Sequence, residues 1–352
     1  MRIEVIHPGE LGPAETARWR AHQAAAPALA GPYLTPEWAK IVGAARSDAR
    51  LCVVNGGEAF LGVQRPSRFA AMGLGAPIAD YQGVVGAPGF KIDPAALCRA
   101  LKVGRIDLSG VPEEQTLLRA AGAEGSWIAT FESAEAYRAG LKERRGKFVK
   151  ELEKKRRRME AEKGQAEFTA CSASSEDFEA LLAWKSEQLH RTGQPAIWSA
   201  PWVRTVLDAC FAQSGAHFGG AFFTLKVGGE LIAACFFLRS KSVLHAWVIG
   251  HDPAFDAYSP GVQLARWAIE WAAEQGYCEV DFGTGDYQFK RQLSTGQRAL
   301  VWGAASRPSW SGAVREAQFA LRAGIERAPN PKLAALPGKA MRRLDLMRAL
   351  AA

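Results

Sequence analysis

The chain has 352 residues, 48% of them hydrophobic and 23% charged, which predicts two domains with separate cores. No apolar run reaches 18 residues and the N-terminus does not resemble a signal peptide, so we expect a cytoplasmic protein without a membrane span. Six scattered cysteines without a CxxC pair predict buried free thiols, not a zinc site or disulfides. The net charge of +8 is local, because residues 142–158 contribute +7. This concentration argues against a surface that binds nucleic acid all over, and for a local contact with an anionic partner.

Helical and strand-like segments alternate along the chain, which predicts an α/β fold. In the first part, helices are expected over 13–25 and after Thr35-Pro36. Later helices are expected near 175–190 and 200–213. The predicted divisions are a first α/β domain, a basic connecting helix, a second α/β domain and a basic helical tail broken at 329–331 and Pro337. Their bounds are 1–133, 134–165, 166–310 and 311–352.

Two hairpins with the same glycine turn indicate an internal repeat. VVNGGEAFLGV (53–63) and TLKVGGELIAACFFL (224–238) align at an offset of 172, and the same offset places Pro88-Gly89 on Pro260-Gly261. Ordered matches at one spacing favour a duplication. In the second copy Gly261 opens an amphipathic helix directly, whereas Asp93 caps the helix of the first copy. Because a carboxylate repels phosphate, only the second copy is predicted to keep a phosphate site.

Four ordered motifs resemble one protein family. They are KFVKELEKKRRRME (147–160), HRTGQPAIW (190–198), YSPGVQLARWAIEWAAEQGY (258–277) and DFGTGDYQFKRQL (281–293). The set resembles the CelD/BcsL group of acetyltransferases, within the FemAB-like tandem GNAT superfamily. The resemblance implies two tandem GNAT-like domains with mixed central sheets, the first with a degenerate cofactor site. It also implies a cytoplasmic enzyme of envelope exopolysaccharide synthesis that transfers an acetyl group from acetyl-CoA to an amino or hydroxyl group of a saccharide.

The turn before the second-copy helix is the predicted cofactor site. Backbone N–H groups at a helix start bind phosphate, and glycine allows close approach of the ligand. The usual GNAT phosphate motif is reduced here to YSPGVQL, and an ordinary helix start would look the same. The predicted cofactor-binding residues are Ser259, Pro260, Gly261, Val262 and Gln263.

The candidate catalytic residues lie near the ends of two strands. A carboxylate there could accept the acceptor's proton, a lysine could stabilise the oxyanion, and a strand histidine could act as a base. Alternation predicts that His245, Trp247 and Ile249 share one face of their strand. The ordinary alternatives are helix caps, surface ion pairs and a core histidine. The catalytic candidates are Asp281, Asp286, Lys290 and His245, and the candidate saccharide contacts are Trp198 and Tyr287.

Two other functions remain open from the sequence. One is a FemAB-type aminoacyltransferase whose basic helix meets aminoacyl-tRNA, and the other is a non-catalytic protein that binds a polymer or membrane. Dispersed histidines and the absence of an HExxH motif predict no metal. Phe148, Leu152 and Met159 recur at helical spacing within the basic segment. We therefore expect 142–158 to dock by this stripe and to contact an anionic membrane at the inner membrane face, where a lipid-linked saccharide acceptor would be found.

Overall fold

The computed structural model describes residues 1–195, 197–327 and 331–350, without the side chains of 331–336. The chain divides into two compact units. The first contains Met1–Leu29, Tyr33–Glu124 and Ala299–Ala352, and the second contains Ala30–Pro32 and Gly125–Arg298. Residues 299–352 therefore belong to the first unit. The sequence-based boundaries instead ended the second unit at 310 and made 311–352 a separate tail.

The first unit is a mixed sheet with helices. Its strands are β1 (Ile3–Ile6), β2 (Ala49–Val54), β3 (Ala59–Gln64), β4 (Ala70–Gly73), β5 (Val85–Gly86) and β6 (Arg105–Pro112), and its first helices are α1 (Pro13–Ala25), α2 (Pro36–Ala45) and α3 (Pro94–Ala100). The sheet order is β1-β2-β3-β4-β6, with β5 beside β3, and β4 and β6 are parallel. Thr35 and Asp93 cap α2 and α3 through their side-chain oxygens, as expected from the sequence.

The remaining elements follow in chain order. The strands are β7 (Arg119–Thr130), β8 (Ala166–Thr169), β9 (Phe218–Val227), β10 (Glu230–Ser240), β11 (Val243–His251), β12 (Glu279–Asp281) and β13 (Gly296–Ser306). The helices are α4 (Ala134–Lys163), α5 (Ser175–Arg191), α6 (Pro201–Ala212), α7 (Pro260–Glu274), α8 (Gln288–Leu293), α9 (Trp310–Glu326) and α10 (Pro331–Leu350). The sheet of the second unit runs β7-β12-β11-β10-β9-β8, and β11 and β12 are parallel.

The two units repeat one order of elements. A hairpin, β2–β3 or β9–β10, is followed by a strand, a helix and a second strand parallel to the first. The glycine pairs of both hairpin turns have positive φ, which glycine adopts without steric cost. The mixed α/β architecture predicted from the sequence is therefore confirmed.

The amphipathic helix α7 covers the sheet of the second unit. Its buried face includes Leu264, Ala265, Ala268, Ile269 and Ala272, at the spacing seen in the sequence. These side chains share one apolar cluster with residues of β9, β10 and β11. Helix, sheet and the buried stripe of α4 thus build one core, which fixes where α7 begins.

Two sequence-based expectations differ from the structure, and a third cannot be compared with it. Cys171 and Cys278 are exposed, because both lie outside the core strands and helices, while the other four cysteines are buried as expected. The helix α10 runs through Pro337 without ending there, since it packs along α9. The expected break at 329–331 includes residues 329 and 330, which lie outside the described part of the chain.

The return of β13 explains why residues 299–352 belong to the first unit. Residues Leu300–Ser306 pair antiparallel with Pro112–Arg105 of β6. At Gly303 an added Cβ would lie 2.3 Å from the carbonyl oxygen of Arg119 and 3.1 Å from the backbone nitrogen of Ala121. The strands at this point approach too closely for any side chain.

Gly303→Ala should destabilise the protein by roughly 1–3 kcal/mol, because the new methyl group overlaps backbone that cannot move away. Urea unfolding followed by circular dichroism would measure the loss. Gly296→Ala, on the same strand, is the control, since no described heavy atom lies within 4 Å of its added Cβ. Equal stabilities of the two variants would contradict this packing.

Candidate active site

The strands β11 and β12 separate after a short parallel contact. Their register pairs Val243 with Glu279, Leu244 with Val280 and His245 with Asp281. Beyond His245, β11 continues for six residues that β12 does not accompany. The chain after Asp281 follows β7 instead: Phe282 N donates to Trp127 O at 2.8 Å, and Trp127 N donates to Gly283 O at 3.2 Å. The sheet therefore opens at the carboxyl ends of these two strands, where ligands bind in α/β proteins.

A β-bulge in β11 lies beside this opening. Phe236 pairs with Val248 and Phe237 pairs with Ala246, so Trp247 is the extra residue. Ile249 consequently packs against the apolar cluster that contains Leu244 and Ala246. The prediction that Ile249 shares a face with His245 and Trp247 is wrong, because the bulge reverses the alternation.

The turn before α7 has an unusual backbone conformation. Ser259 adopts φ 54° and ψ 50°, the left-handed region that costs energy for a non-glycine residue. Its hydroxyl accepts a hydrogen bond from Lys155 Nζ at 3.0 Å. Gln263 donates from Nε2 to the carbonyl oxygen of Tyr258 at 2.8 Å, so this buried side chain braces the turn. Lys155 thus places a positive charge next to the start of α7.

A groove of about 830 Å³ extends from this turn along the basic helix α4. Helix α4 is kinked at Arg145, which has non-helical φ and ψ of −138° and 38° and precedes Gly146. The groove is lined by Arg144, Arg145, Gly146, Lys147, Phe148, Glu151, Leu152, Lys155, Ser259, Val262, Tyr287, Gln288, Phe289 and Gln292. Four cations and, among these described residues, one carboxylate face it, so the groove attracts anions.

The loop between β12 and α8 forms the far wall of the groove. Gly283 and Gly285 have positive φ, in agreement with the predicted glycine turn. Lys290 is buried and donates to the carbonyl oxygens of Gly283 and Thr284 at 3.3 and 2.5 Å. Its ammonium group therefore holds the loop in shape. Tyr287 lies at the mouth of the groove with 58% of its surface exposed.

Charged side chains are buried where β11 and β12 part. Asp281 Oδ1 accepts hydrogen bonds from Ser126 Oγ at 2.6 Å and from Gly283 N at 2.7 Å. His245 Nδ1 lies 3.6 Å from the same oxygen. Arg298 binds Glu279 with two hydrogen bonds of 2.9 and 2.7 Å, and lies 3.7 Å from Asp281 Oδ2.

The cation in this cluster compensates two carboxylates. Burial raises the pKa of Glu279, and the hydrogen bonds and charge of Arg298 act in the opposite direction. His245 and Asp281 are fully buried beneath the opening, so they fix the geometry of its base.

The structure brings together only part of the predicted site. Ser259, Val262 and Tyr287 line the groove, and Lys290 supports its wall. Asp286 forms an exposed ion pair with Arg291 at 3.0 Å.

Trp198 lies outside the groove. It packs edge-on against Trp247, with ring centroids 6.1 Å apart. Its role as a saccharide contact remains a prediction that this packing does not favour.

Sequence reasoning missed the groove-facing side of α4. Arg144, Lys147, Glu151 and Lys155 are spaced by three or four residues, so they share one helical face. The apolar stripe was found instead: Leu152 and Met159 are buried, and Phe148 is partly buried. A search for charged residues at the same spacing would have identified the groove-facing side.

Comparisons with known proteins show what this chain is similar to. Residues 146–291 match the family model described as acetyltransferase (GNAT) domain. The C-terminal domain of a putative lysylphosphatidylglycerol synthetase from Agrobacterium fabrum is similar in structure, with a TM-score of 0.54 and 11% identity over 86% of this chain and 95% of that chain. FemX is similar with a TM-score of 0.53 and 11% identity, over 86% and 96% of the two chains. No curated protein matches the sequence.

These matches confirm the predicted GNAT fold, which supports transferase activity, and GNAT domains use acyl-CoA as the donor. The narrower resemblance to the CelD/BcsL group stays a prediction. Among the described residues, no three His, Cys, Asp or Glu side chains are grouped to hold a metal ion. Over the same part of the chain, every helix is too short or too polar to cross a bilayer.

Ser126→Ala should lower the free energy of unfolding by about 1–3 kcal/mol, because it removes a donor from the buried Asp281 carboxylate. Chemical unfolding measures the change. Ser186→Ala is the control, since its partly buried hydroxyl bonds to Leu182 O of its own helix, at 2.8 Å. If both substitutions have the same small effect, the hydrogen bond to Asp281 contributes nothing specific.

Proposed function

We propose that this protein transfers an acetyl group from acetyl-CoA to an amino or hydroxyl group of a saccharide in envelope polysaccharide synthesis. The observation that carries the proposal is the cationic groove that extends from the first turn of α7 along α4. The GNAT domain match over 146–291 covers the start of α7 and all of the groove lining except Arg144, Arg145 and Gln292. The narrower choice of saccharide rests on the four motifs that resemble the CelD/BcsL group.

The donor phosphates fit the wall formed by α4 and α7. Pro260 and Gly261 open α7, whose axis directs backbone N–H groups and partial positive charge outward. Lys155 is already hydrogen-bonded to Ser259 at this turn, and Arg144, Arg145 and Lys147 line the groove. Val262 N and Gln263 N already donate to Ser259 O at 3.1 and 3.2 Å. We therefore assign these cations and the backbone N–H of Gly261 to the diphosphate of coenzyme A.

The acceptor is assigned to the part of the same groove between Glu151 of α4 and Tyr287. Glu151 is the carboxylate that lines it, and a general base must lie within hydrogen-bond reach of the acceptor. In the proposed step, the acceptor oxygen or nitrogen forms a bond to the thioester carbonyl carbon and the C–S bond breaks. Glu151 takes the acceptor proton and releases it to solvent, and the leaving thiolate takes a proton from solvent and departs as the thiol. Tyr287, exposed at the mouth, provides an aromatic surface for a sugar ring.

The previously predicted acid–base groups have different positions. His245 and Asp281 are buried beneath the opening, and we assign them to holding the β11–β12 junction that the substrate meets. Lys290 fixes the loop that carries Asp286 and Tyr287. A direct catalytic role for Asp281, Asp286, Lys290 and His245 remains a prediction.

A second donor is favoured by one observation, the row of cations along the groove, which would also suit the phosphates of aminoacyl-tRNA. Competition between acetyl-CoA and tRNA in a binding titration separates the two donors. If acetyl-CoA displaces bound tRNA, the two ligands share one site. If the protein binds tRNA and does not bind acetyl-CoA, our choice of donor is wrong.

Gly261→Asp should weaken acetyl-CoA binding by roughly 100-fold or more, because it places a negative charge at the phosphate site. The protein should remain folded. The added Cβ would lie 3.6 Å from His251 Nδ1, an ordinary contact, and an acidic residue in a first turn favours the helix. Isothermal titration calorimetry measures the affinity.

Gly324→Asp is the matched control, as Gly324 lies in α9 with no described heavy atom within 4 Å of its added Cβ. Gly89, the repeat equivalent of Gly261, is unsuitable because its φ of 77° would strain any side chain. Unchanged affinity in Gly261→Asp would rule out the turn as the phosphate site.

Glu151→Gln should lower kcat about 100-fold or more, as loss of a general base does, while acetyl-CoA affinity stays within about twofold. Thiol release from acetyl-CoA, with amino and neutral sugars as acceptors, measures turnover. Glu143→Gln, at an exposed position of the same helix outside the groove, should behave as the unmodified protein. Full turnover in Glu151→Gln would show that another group is the general base. The pH profile of Asp281→Asn would then be compared with that of the unmodified protein.

A further inference from the structure

Positive charge is concentrated in a second segment at the C-terminal end of the described chain. Residues 307–350 contain nine Lys/Arg and three Asp/Glu, a net charge of +6. Together with the +7 of residues 142–158, this leaves a net charge of −5 on the rest of the chain. Of these two segments, 142–158 contributes cations to the groove lining and 307–350 does not.

The helix α10 carries five of these nine Lys/Arg residues, beside exposed apolar side chains. Ala340, Leu344 and Met347 are spaced by four and three residues, so they form one stripe. Leu344 is 51% exposed and Met347 is 59% exposed. Arg348 lies one turn from Leu344 and Arg343 lies one turn from Met347, so a cation borders the stripe on each side.

The opposite side of α10 is fixed to the first unit. Arg315 of α9 is buried and binds both oxygens of Asp345, at 3.2 and 2.7 Å. Arg315 also lies 2.9 Å from Asp107 of β6. Arg46 donates to the carbonyl oxygen of Ala349 at 3.0 Å, where the helix is buried. These contacts leave the stripe of Leu344 and Met347 on the solvent side.

The helix α9 has an exposed apolar stripe of its own. Trp310 is 75% exposed and Leu321 is 65% exposed. The exposed residues between and after them at helical spacing are small: Ala313, Ala317, Ala320 and Gly324. A tryptophan at one end of such a stripe is typical of helices that lie at a lipid–water boundary.

We propose that α9 and α10 bind the surface of an anionic lipid bilayer, with Leu344 and Met347 entering the interface and Arg343 and Arg348 contacting lipid headgroups. Apolar insertion and cation–headgroup attraction reinforce each other in such helices. A second copy of the chain is a poorer occupant, because it would oppose two faces of the same charge. A nucleic acid would use the cations and leave the apolar stripe uncovered.

This surface lies in the first unit and does not depend on acyl transfer by the second. It also differs from the contact expected for residues 142–158, whose groove-facing cations are assigned to the donor. The two segments can therefore be tested separately in the full chain.

The test is cosedimentation of the full chain with phosphatidylcholine vesicles, with and without phosphatidylglycerol, over a range of salt concentrations. The protein should bind only the vesicles that contain phosphatidylglycerol. Leu344→Gln/Met347→Gln should lower the partition coefficient about tenfold or more without changing the net charge. Thermal unfolding should stay unchanged, since both side chains are exposed.

Arg343→Gln/Arg348→Gln should lower binding and flatten its salt dependence. The matched control is Arg2→Gln/Lys91→Gln, which removes two exposed cations elsewhere in the first unit and should have little effect.

Three outcomes would overturn the proposal. The first is unchanged binding of Leu344→Gln/Met347→Gln, or loss of binding only in Lys150→Gln/Lys154→Gln, which would assign the contact to residues 142–158. The second is no vesicle binding by the unmodified protein. The third is a dimer in analytical ultracentrifugation that Leu344→Gln/Met347→Gln converts to a monomer, which would show that a second copy covers the stripe.

Discussion

Three parallel residue pairs join β11 to β12, and the course of the chain into the loop before α8 depends on how early this contact ends. Asp281 is the last paired residue of β12, and its carboxylate binds the backbone nitrogen of Gly283, which begins the glycine turn. The chain is thereby directed onto β7. On the other side, the bulge at Trp247 bends β11. Because both strands leave the contact in different directions, the start of α7 can form one side of an open site.

The buried ions at this junction have a structural consequence. Two carboxylates, Glu279 and Asp281, share one guanidinium group, that of Arg298. Buried ion pairs add little net stability, because the cost of removing the charges from water offsets their attraction. Removing one partner destabilises the protein far more, because it leaves a buried charge uncompensated. Such a cluster therefore selects a single register for β12. A slip of β12 by one residue would place these charged side chains in apolar surroundings.

Local patterns in the sequence predicted local structure well. The caps at Thr35 and Asp93, both glycine hairpins and the apolar stripe of α7 depend on neighbouring residues, and all are present. The bulge at Trp247 was not predictable, because alternation over a strand contains no sign of an inserted residue. The grouping of Glu151 with Ser259 and Tyr287 depends on how α4 packs on α7 and on the kink at Arg145. Such contacts between distant segments lie outside any periodicity.

The strand β13 is a part of the first unit that is synthesised late. A ribosome makes proteins from the N-terminus, and domains generally fold as they emerge. Here the edge of β6 obtains its partner, Leu300–Ser306, only after the whole of Gly125–Arg298 has been synthesised. The second unit can therefore complete its own sheet from a continuous stretch of chain while β6 of the first unit still has an unpaired edge. During translation that edge is a site for mispairing, and a nascent-chain chaperone that covers it would act on residues 105–112.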